Sequence, residues 1–186
     1  MPPYARRLKA ATIEGRATVL LLDCQVRLGL IKEPPVPVDE ILERFLGFTL
    51  DLVDLGDLAA HGATNVAQRT VMIDQALDPV EHLAMEGRFN FTVAHEIGHI
   101  RLHSGVDHFE APKEPNPRFV ASYQEFERQA DLFASFLLMP RSLVVKAWTK
   151  VHSSADPIVV TPELKAVGIE NFGSREAFLR AWNERH

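Results

Sequence analysis

The sequence predicts an α+β fold in a single domain, and three observations predict it. Long segments carry apolar residues three and four apart, as a helix with one buried face requires; Ile13 to Leu28, Val93 to Ile100 and Phe126 to Leu138 are the clearest. Between the first two, Phe48 to Val53 and Thr64 to Ile73 follow the period of short strands, with Thr70 to Ile73 the strongest run. At 186 residues with 46% hydrophobic content, the chain can bury one core and has no room for a separate regulatory module.

Taken in order, Tyr4 to Ile31 reads as one long helix, or two broken near Gly15, and residues 32–37, with three prolines, make an extended linker. Residues 1–36 therefore form an N-terminal helical segment with its linker, and residues 37–186 form the domain proper. Val38 to Phe48 restarts as a short helix, with Asp39 as N-cap and Gly47 as stop. Strands follow, separated by turns at Gly56 and Gly62, and Pro79 to Met85 is a short helix on which His82 faces solvent. Phe89 to His103 is a helix capped by Asn90 or Thr92. Ser104 to Ala121, holding Pro112, Pro115 and Pro117, is a long loop placed to wall a cleft. Tyr123 to Met139 is a second strong helix, in which Ala130 and Ala134 permit close approach. Ser142 to Trp148, Thr161 to Val167 and Ser174 to Arg185, the last capped by Ser174, are short helices forming a C-terminal cap on the same domain.

Charge and cysteine usage narrow the function classes. A formal charge of -5 argues against direct nucleic-acid binding, which needs a clustered excess of Lys and Arg. Cys24 is the only cysteine, so neither an intrachain disulfide nor a cysteine zinc cluster is available, and its apolar surroundings make it a small core residue. The apolar run Val19 to Leu22 is too short for a signal-peptide core or a membrane span. These features fit a cytoplasmic protein with no membrane partner.

The chemistry concentrates in His95-Glu96-Ile97-Gly98-His99, an HExxH. Residues four apart share a helical face, so both imidazoles can converge on one ion while Glu96 leans toward a water beside it. Val93, Ile97 and Ile100 occupy another face and bury it. Catalytic zinc usually takes three protein ligands and leaves one position open, so a third donor is needed. The following helix offers Glu125, Glu127 and Asp131. Glu127 and Asp131 are four apart, so one can bind metal while the other accepts the N–H of a liganding histidine. Glu127 is preferred as ligand because Glu125 has no acidic partner four residues on. His103, His108 and Tyr123 can each donate to a developing oxyanion, although each reads first as an ordinary surface or loop residue.

These residues resemble the ImmA/IrrE-type metallopeptidases, a branch of the HExxH peptidases similar to thermolysin in ligand set. That family reads roughly R-F-T-x-A-H-E-[IL]-G-H, then E-x-E-A-[ND]-x-F-A-x-x-L-L-M-P. This chain has Arg88-Phe89-Asn90-Phe91-Thr92-Val93-Ala94-His95-Glu96-Ile97-Gly98-His99, then Glu127-Arg128-Gln129-Ala130-Asp131-Leu132-Phe133-Ala134 running to Met139-Pro140. It departs at Asn90-Phe91, which separates the Arg-Phe pair from Thr92, and at Gln129, where the family has a second acid. An amide replaces a carboxylate ligand poorly, so the departure points again to Glu127.

The resemblance implies a zincin-like domain, with a small sheet packed on the HExxH helix and a second ligand-bearing helix. It implies Zn2+ held by His95, His99 and Glu127, with Glu96 as general base and Asp131 orienting a histidine. It also implies bacterial or phage proteins that cleave or inactivate helix-turn-helix repressors of the XRE type, or antitoxins, in stress responses, mobile-element control or toxin–antitoxin pairs. The expected function is thus a zinc-dependent endopeptidase, with substrate bound in extended form along the strand at Thr70 to Ile73. Two rivals stand beside it: a non-catalytic protein that sequesters a repressor, and a peptidase acting on small peptides.

Overall fold

The apolar stripe of the first segment forms one unbroken helix, α1 (Ala10–Leu28), with Gly15 inside it. Its buried residues Ile13, Ala17, Leu20, Leu21 and Cys24 recur three and four apart, so one face enters the core. The computed structural model describes residues 7–29, 31, 34–56, 61–103 and 117–152. The chain falls into two compact units, Met1–Ala147 and Trp148–His186. Among the described residues five α-helices and a three-stranded sheet make the architecture α+β, as expected. Among the described residues no helix is long and apolar enough to cross a membrane.

The next helix, α2 (Val38–Glu40), continues through a wider π-helical turn, Ile41–Phe45, and buries Val38, Ile41 and Leu42. It begins behind Pro37 and not behind Asp39, which lies inside the first turn. A proline fixes the entering backbone without side-chain capping, and Asp39 and Glu40 then meet the positive end of the helix dipole. Gly47 follows the helix, as its sequence position suggested.

Strands β1 (Thr49–Val53), β2 (Gly62–Asn65) and β3 (Thr70–Asp74) form a sheet of order β1-β3-β2. β1 runs parallel to β3, with Thr49 opposite Thr70, and β2 runs antiparallel to it, with Thr64 opposite Val71. β3 is therefore central, hydrogen-bonded on both sides, and Val71 and Ile73 point from it into the core. That overturns the expectation that this strand offers a free edge. The turn before β3 is held by Arg69, whose backbone is left-handed (φ 53°). Its guanidinium donates to the carbonyls of Gly47 (2.9 Å) and Leu46 and lies 4.8 Å from the centre of the Phe48 ring. Gly62, expected at a turn, belongs to β2 instead.

A 3-10 turn, Gln75–Leu77, precedes the region expected as a short helix, Pro79 to Met85, in which a second 3-10 turn, Leu83–Met85, is the helical part, and His82 is exposed there. The second turn leads into α3 (Glu86–Leu102), which starts ahead of Asn90 and Thr92, so neither caps it. The Thr92 hydroxyl donates to the Arg88 carbonyl, an internal helical bond. Arg88 itself is exposed. After residues 104–116, which lie outside the described part, α4 runs from Pro117 to Leu138, so residues 117–121 of the expected loop are helical. Proline suits a first helical turn, where its missing N–H has no partner to lose.

α4 makes its most extensive contact with α3 and its next with α1, while β2 and β3 pack on α3. Phe133, Ala134 and Leu137 of α4 join Val93, Ala94 and Ile97 of α3 in the core. The close approach depends on Gly98: a Cβ there would lie 3.1 Å from both the Cα and the carbonyl oxygen of Ala130. Backbone atoms yield less readily than a side chain's end, so a glycine at 98 favours this close approach of the helices. α5 (Arg141–His152) closes the described chain. The segments Thr161–Val167 and Ser174–Arg185 lie outside the described residues.

Candidate metal centre

Packing α3 against α4 through Gly98 and Ala130 sets the distance between the side chains one turn away. His95 and His99 present their Nε2 atoms to one another at 2.9 Å. From α4, Glu127 reaches both: Oε2 is 3.2 Å from His95 Nε2, and Oε1 is 3.4 Å from His99 Nε2. One donor atom of each of the three residues lies within 4.8 Å of the other two, a group able to hold a metal ion. The chemistry of the set matches zinc, which takes imidazole nitrogen and carboxylate oxygen at about 2.0–2.2 Å in a tetrahedron whose edges are then about 3.4 Å. Two of the three observed separations sit close to that edge, and the third is tighter.

Each histidine is also held from behind. His95 Nδ1 lies 2.9 Å from Asp131 Oδ1, and since a carboxylate only accepts, Nδ1 carries a proton, so that Nε2 would be the atom to turn its lone pair to a bound metal. His99 Nδ1 lies 3.1 Å from His103 Nδ1. Burial penalises the charge of His95, but the hydrogen bond to Glu127 and the nearby Glu96, Glu127 and Asp131 carboxylates outweigh it and raise its pKa. Burial likewise opposes the charge of Glu127, yet bonds from His95 and His99 hold its pKa down to about 2. His103, in contrast, is pushed down to about 4 by burial and then by His99.

Glu96 is buried on the sheet side of the same helix. The Thr64 hydroxyl of β2 donates to its Oε2 at 2.6 Å. A Cβ on Gly62 would fall 2.9 Å from Glu96 Oε1 and 2.8 Å from Thr92 Cγ2, so β2 runs close over this carboxylate because its first residue has no side chain. β2 is also the edge of the sheet, and among the described residues no strand pairs with its outer side.

Every residue singled out for chemistry thus converges: His95, His99 and Glu127 at one point, Glu96 beside them, and Asp131 behind His95. Among the three oxyanion candidates, Tyr123 stands one turn before Glu127 and hydrogen-bonds to it. Burial, with the Glu127 and Glu96 charges, raises the Tyr123 pKa. His103 is buried behind His99 and not on a loop surface, and His108 lies outside the described residues.

Sequence reasoning missed Thr64 and Gly62, and nothing local could have found them, since Thr64 is 32 residues from Glu96. It undervalued His103 and Gln129. For His103 a signal existed: it stands four residues beyond His99, continuing the spacing that pairs His95 with His99.

The model of the IrrE N-terminal-like domain, peptidase family M78, matches residues 56–166, a stretch that includes Thr64, the HExxH, Glu127 and Asp131. No curated protein matches the chain. Because the match spans well over half of the 186 residues, the chain belongs to the M78 peptidases, the family of the IrrE N-terminal-like domain.

Proposed function

We propose that the protein is a zinc-dependent endopeptidase, with His95, His99 and Glu127 as zinc ligands and Glu96 as general base. The convergence of three donor atoms from two helices, with a buried glutamate one residue after the first histidine, carries this reading. When bound, zinc supplies Lewis acidity toward a substrate carbonyl and toward a water proton. Glu96 takes the water proton and later delivers it to the leaving amine. The Thr64 hydroxyl, donating to Glu96 Oε2, orients the carboxylate for this role. Asp131 keeps the His95 lone pair on Nε2.

An extended substrate would add to the outer side of β2, which borders Glu96 and pairs with no strand among the described residues, and not to the central β3. We assign as substrate a protein regulator, a helix-turn-helix repressor of the XRE type or an antitoxin, acting in a stress, mobile-element or toxin–antitoxin system in the cytoplasm. The net charge of -5 favours recognition of the regulator over recognition of its DNA. The test is incubation of the zinc-loaded full chain with a candidate repressor and, separately, with an unfolded generic protein, read by mass spectrometry. Discrete cleavage of the repressor alone supports the assignment. Cleavage of both equally indicates a general peptidase, and co-purification without cleavage, unchanged in Glu96→Gln, indicates sequestration.

A further inference from the structure

The two histidines of the centre are oriented by different chemistry, and the difference leads to residues that the reading above leaves without a task. His95 is backed directly by a carboxylate, that of Asp131. Behind His99 stands a second imidazole, and behind that a buried amide. His103 Nε2 lies 3.4 Å from Gln129 Oε1, and Gln129 Nε2 donates to Glu125 Oε1 at 2.8 Å. Glu125 is itself fixed by Arg128, whose Nε and Nη2 donate to its two oxygens at 3.0 and 2.6 Å.

Read from the outer end, every proton in this chain has one direction. The Glu125 carboxylate can only accept, so the Gln129 NH2 group faces it and the Gln129 carbonyl faces His103. That carbonyl can only accept, so neutral His103 carries its proton on Nε2 and offers the Nδ1 lone pair to His99. His99 must then carry a proton on Nδ1, which leaves Nε2 as the atom that would offer its lone pair to a bound metal. We infer that His103 and Gln129 are positioning residues that set the tautomer of His99, the Glu125–Arg128 pair anchoring the relay. The inference rests on His99 being a metal ligand. It explains why an amide stands at Gln129: a carboxylate there would face the carboxylate of Glu125.

The test uses the full-length chain, zinc, and two variants. In His103→Asn the side-chain carbonyl takes the place of Nδ1 and can still accept from His99, whereas His103→Leu fills the space without an acceptor. Zinc affinity, measured by competition with a chromogenic chelator, should fall about 10–100-fold in His103→Leu, the usual effect of losing such a partner, and recover most of that loss in His103→Asn. Nitrogen-15 spectra of the zinc-loaded wild type provide a reading that needs no variant, and should find His103 neutral with its proton on Nε2. A wild-type His103 protonated on Nδ1, or equal zinc affinity in wild type and His103→Leu, overturns the relay while leaving the ligand set intact. A wild type that takes up no zinc overturns the ligand set, and the relay with it.

Discussion

The two sides of the site are built differently. On the helical side, His95, His99 and Glu127 are set by the α3–α4 interface, where Gly98 meets Ala130 among Phe133, Ile97 and other fully buried residues. On the strand side, Glu96 is held by one hydroxyl from a short edge strand whose residues are only partly buried. Core packing fixes positions to a fraction of an ångström and resists local change, while an edge strand with an open side can receive a partner. The group of His95, His99 and Glu127 therefore gains rigidity from the core, and Glu96 stands beside the edge strand, where the proposed mechanism brings the substrate. Damage to the helical side should cost metal and stability together; damage to the strand side should cost turnover alone.

The sharpest separation comes from Glu96→Gln. It should lower turnover by about 10²- to 10⁴-fold, the range for loss of a general base, with zinc content unchanged. A fully active Glu96→Gln protein would sink the mechanism. Thr64→Val should give the same signature more weakly. Losing a hydrogen bond to a charged group costs about 1.5 kcal/mol, roughly tenfold in kcat, with thermal stability and zinc affinity close to wild type. If Thr64→Val loses zinc as well, the two sides are not separable.

Gly98→Ala tests the other side. The added Cβ presses on Ala130 backbone, and overpacking of this kind costs about 1–3 kcal/mol, each lowering the melting temperature by about 2–4 °C in a chain of this length. Zinc affinity should fall with it, because Glu127 moves away from the histidines. Unchanged melting and zinc binding would mean that the helices have slack at this crossing. The smallest effect should be at Cys24, buried on α1 and distant in role from both sides. Burial, then the Asp23 charge, raises its thiol pKa to about 11, against the lowering effect of Arg101, so iodoacetamide at pH 8 should leave the folded chain unmodified and label it only on unfolding. Rapid labelling of the native protein would contradict the packing of α1.

The same contrast governs how much was legible in the sequence. The helical side was legible because its information is local: HExxH spacing, the Glu127–Asp131 interval and the small residues Ala130 and Ala134 all lie within single helices. The strand side was not, because it depends on pairing between distant segments. Nothing in Thr70 to Ile73 reveals that β3 takes the middle of the sheet, and nothing in Gly62 or Thr64 reveals that β2 passes over Glu96. The start of α3 was misplaced where no side chain caps it, at Glu86, and α4 starts at Pro117, ahead of the expected Tyr123; at Val38 the start was read correctly and only the cap, Asp39, was not. Gln129 was legible only as a departure from a family pattern; its partner Glu125 stands four residues before it on α4, but its partner His103 becomes visible only once α3 and α4 are packed together.

The central claim is that two residues of α3 and one of α4 hold a single zinc ion. The most direct test is zinc content by mass spectrometry on the purified full chain, with Glu127→Ala beside wild type. The account predicts about one zinc per chain in wild type and none retained in Glu127→Ala, since two histidines alone leave the usual set of three ligands incomplete. Full zinc occupancy in Glu127→Ala, or a wild type that stays metal-free with zinc supplied, would contradict it.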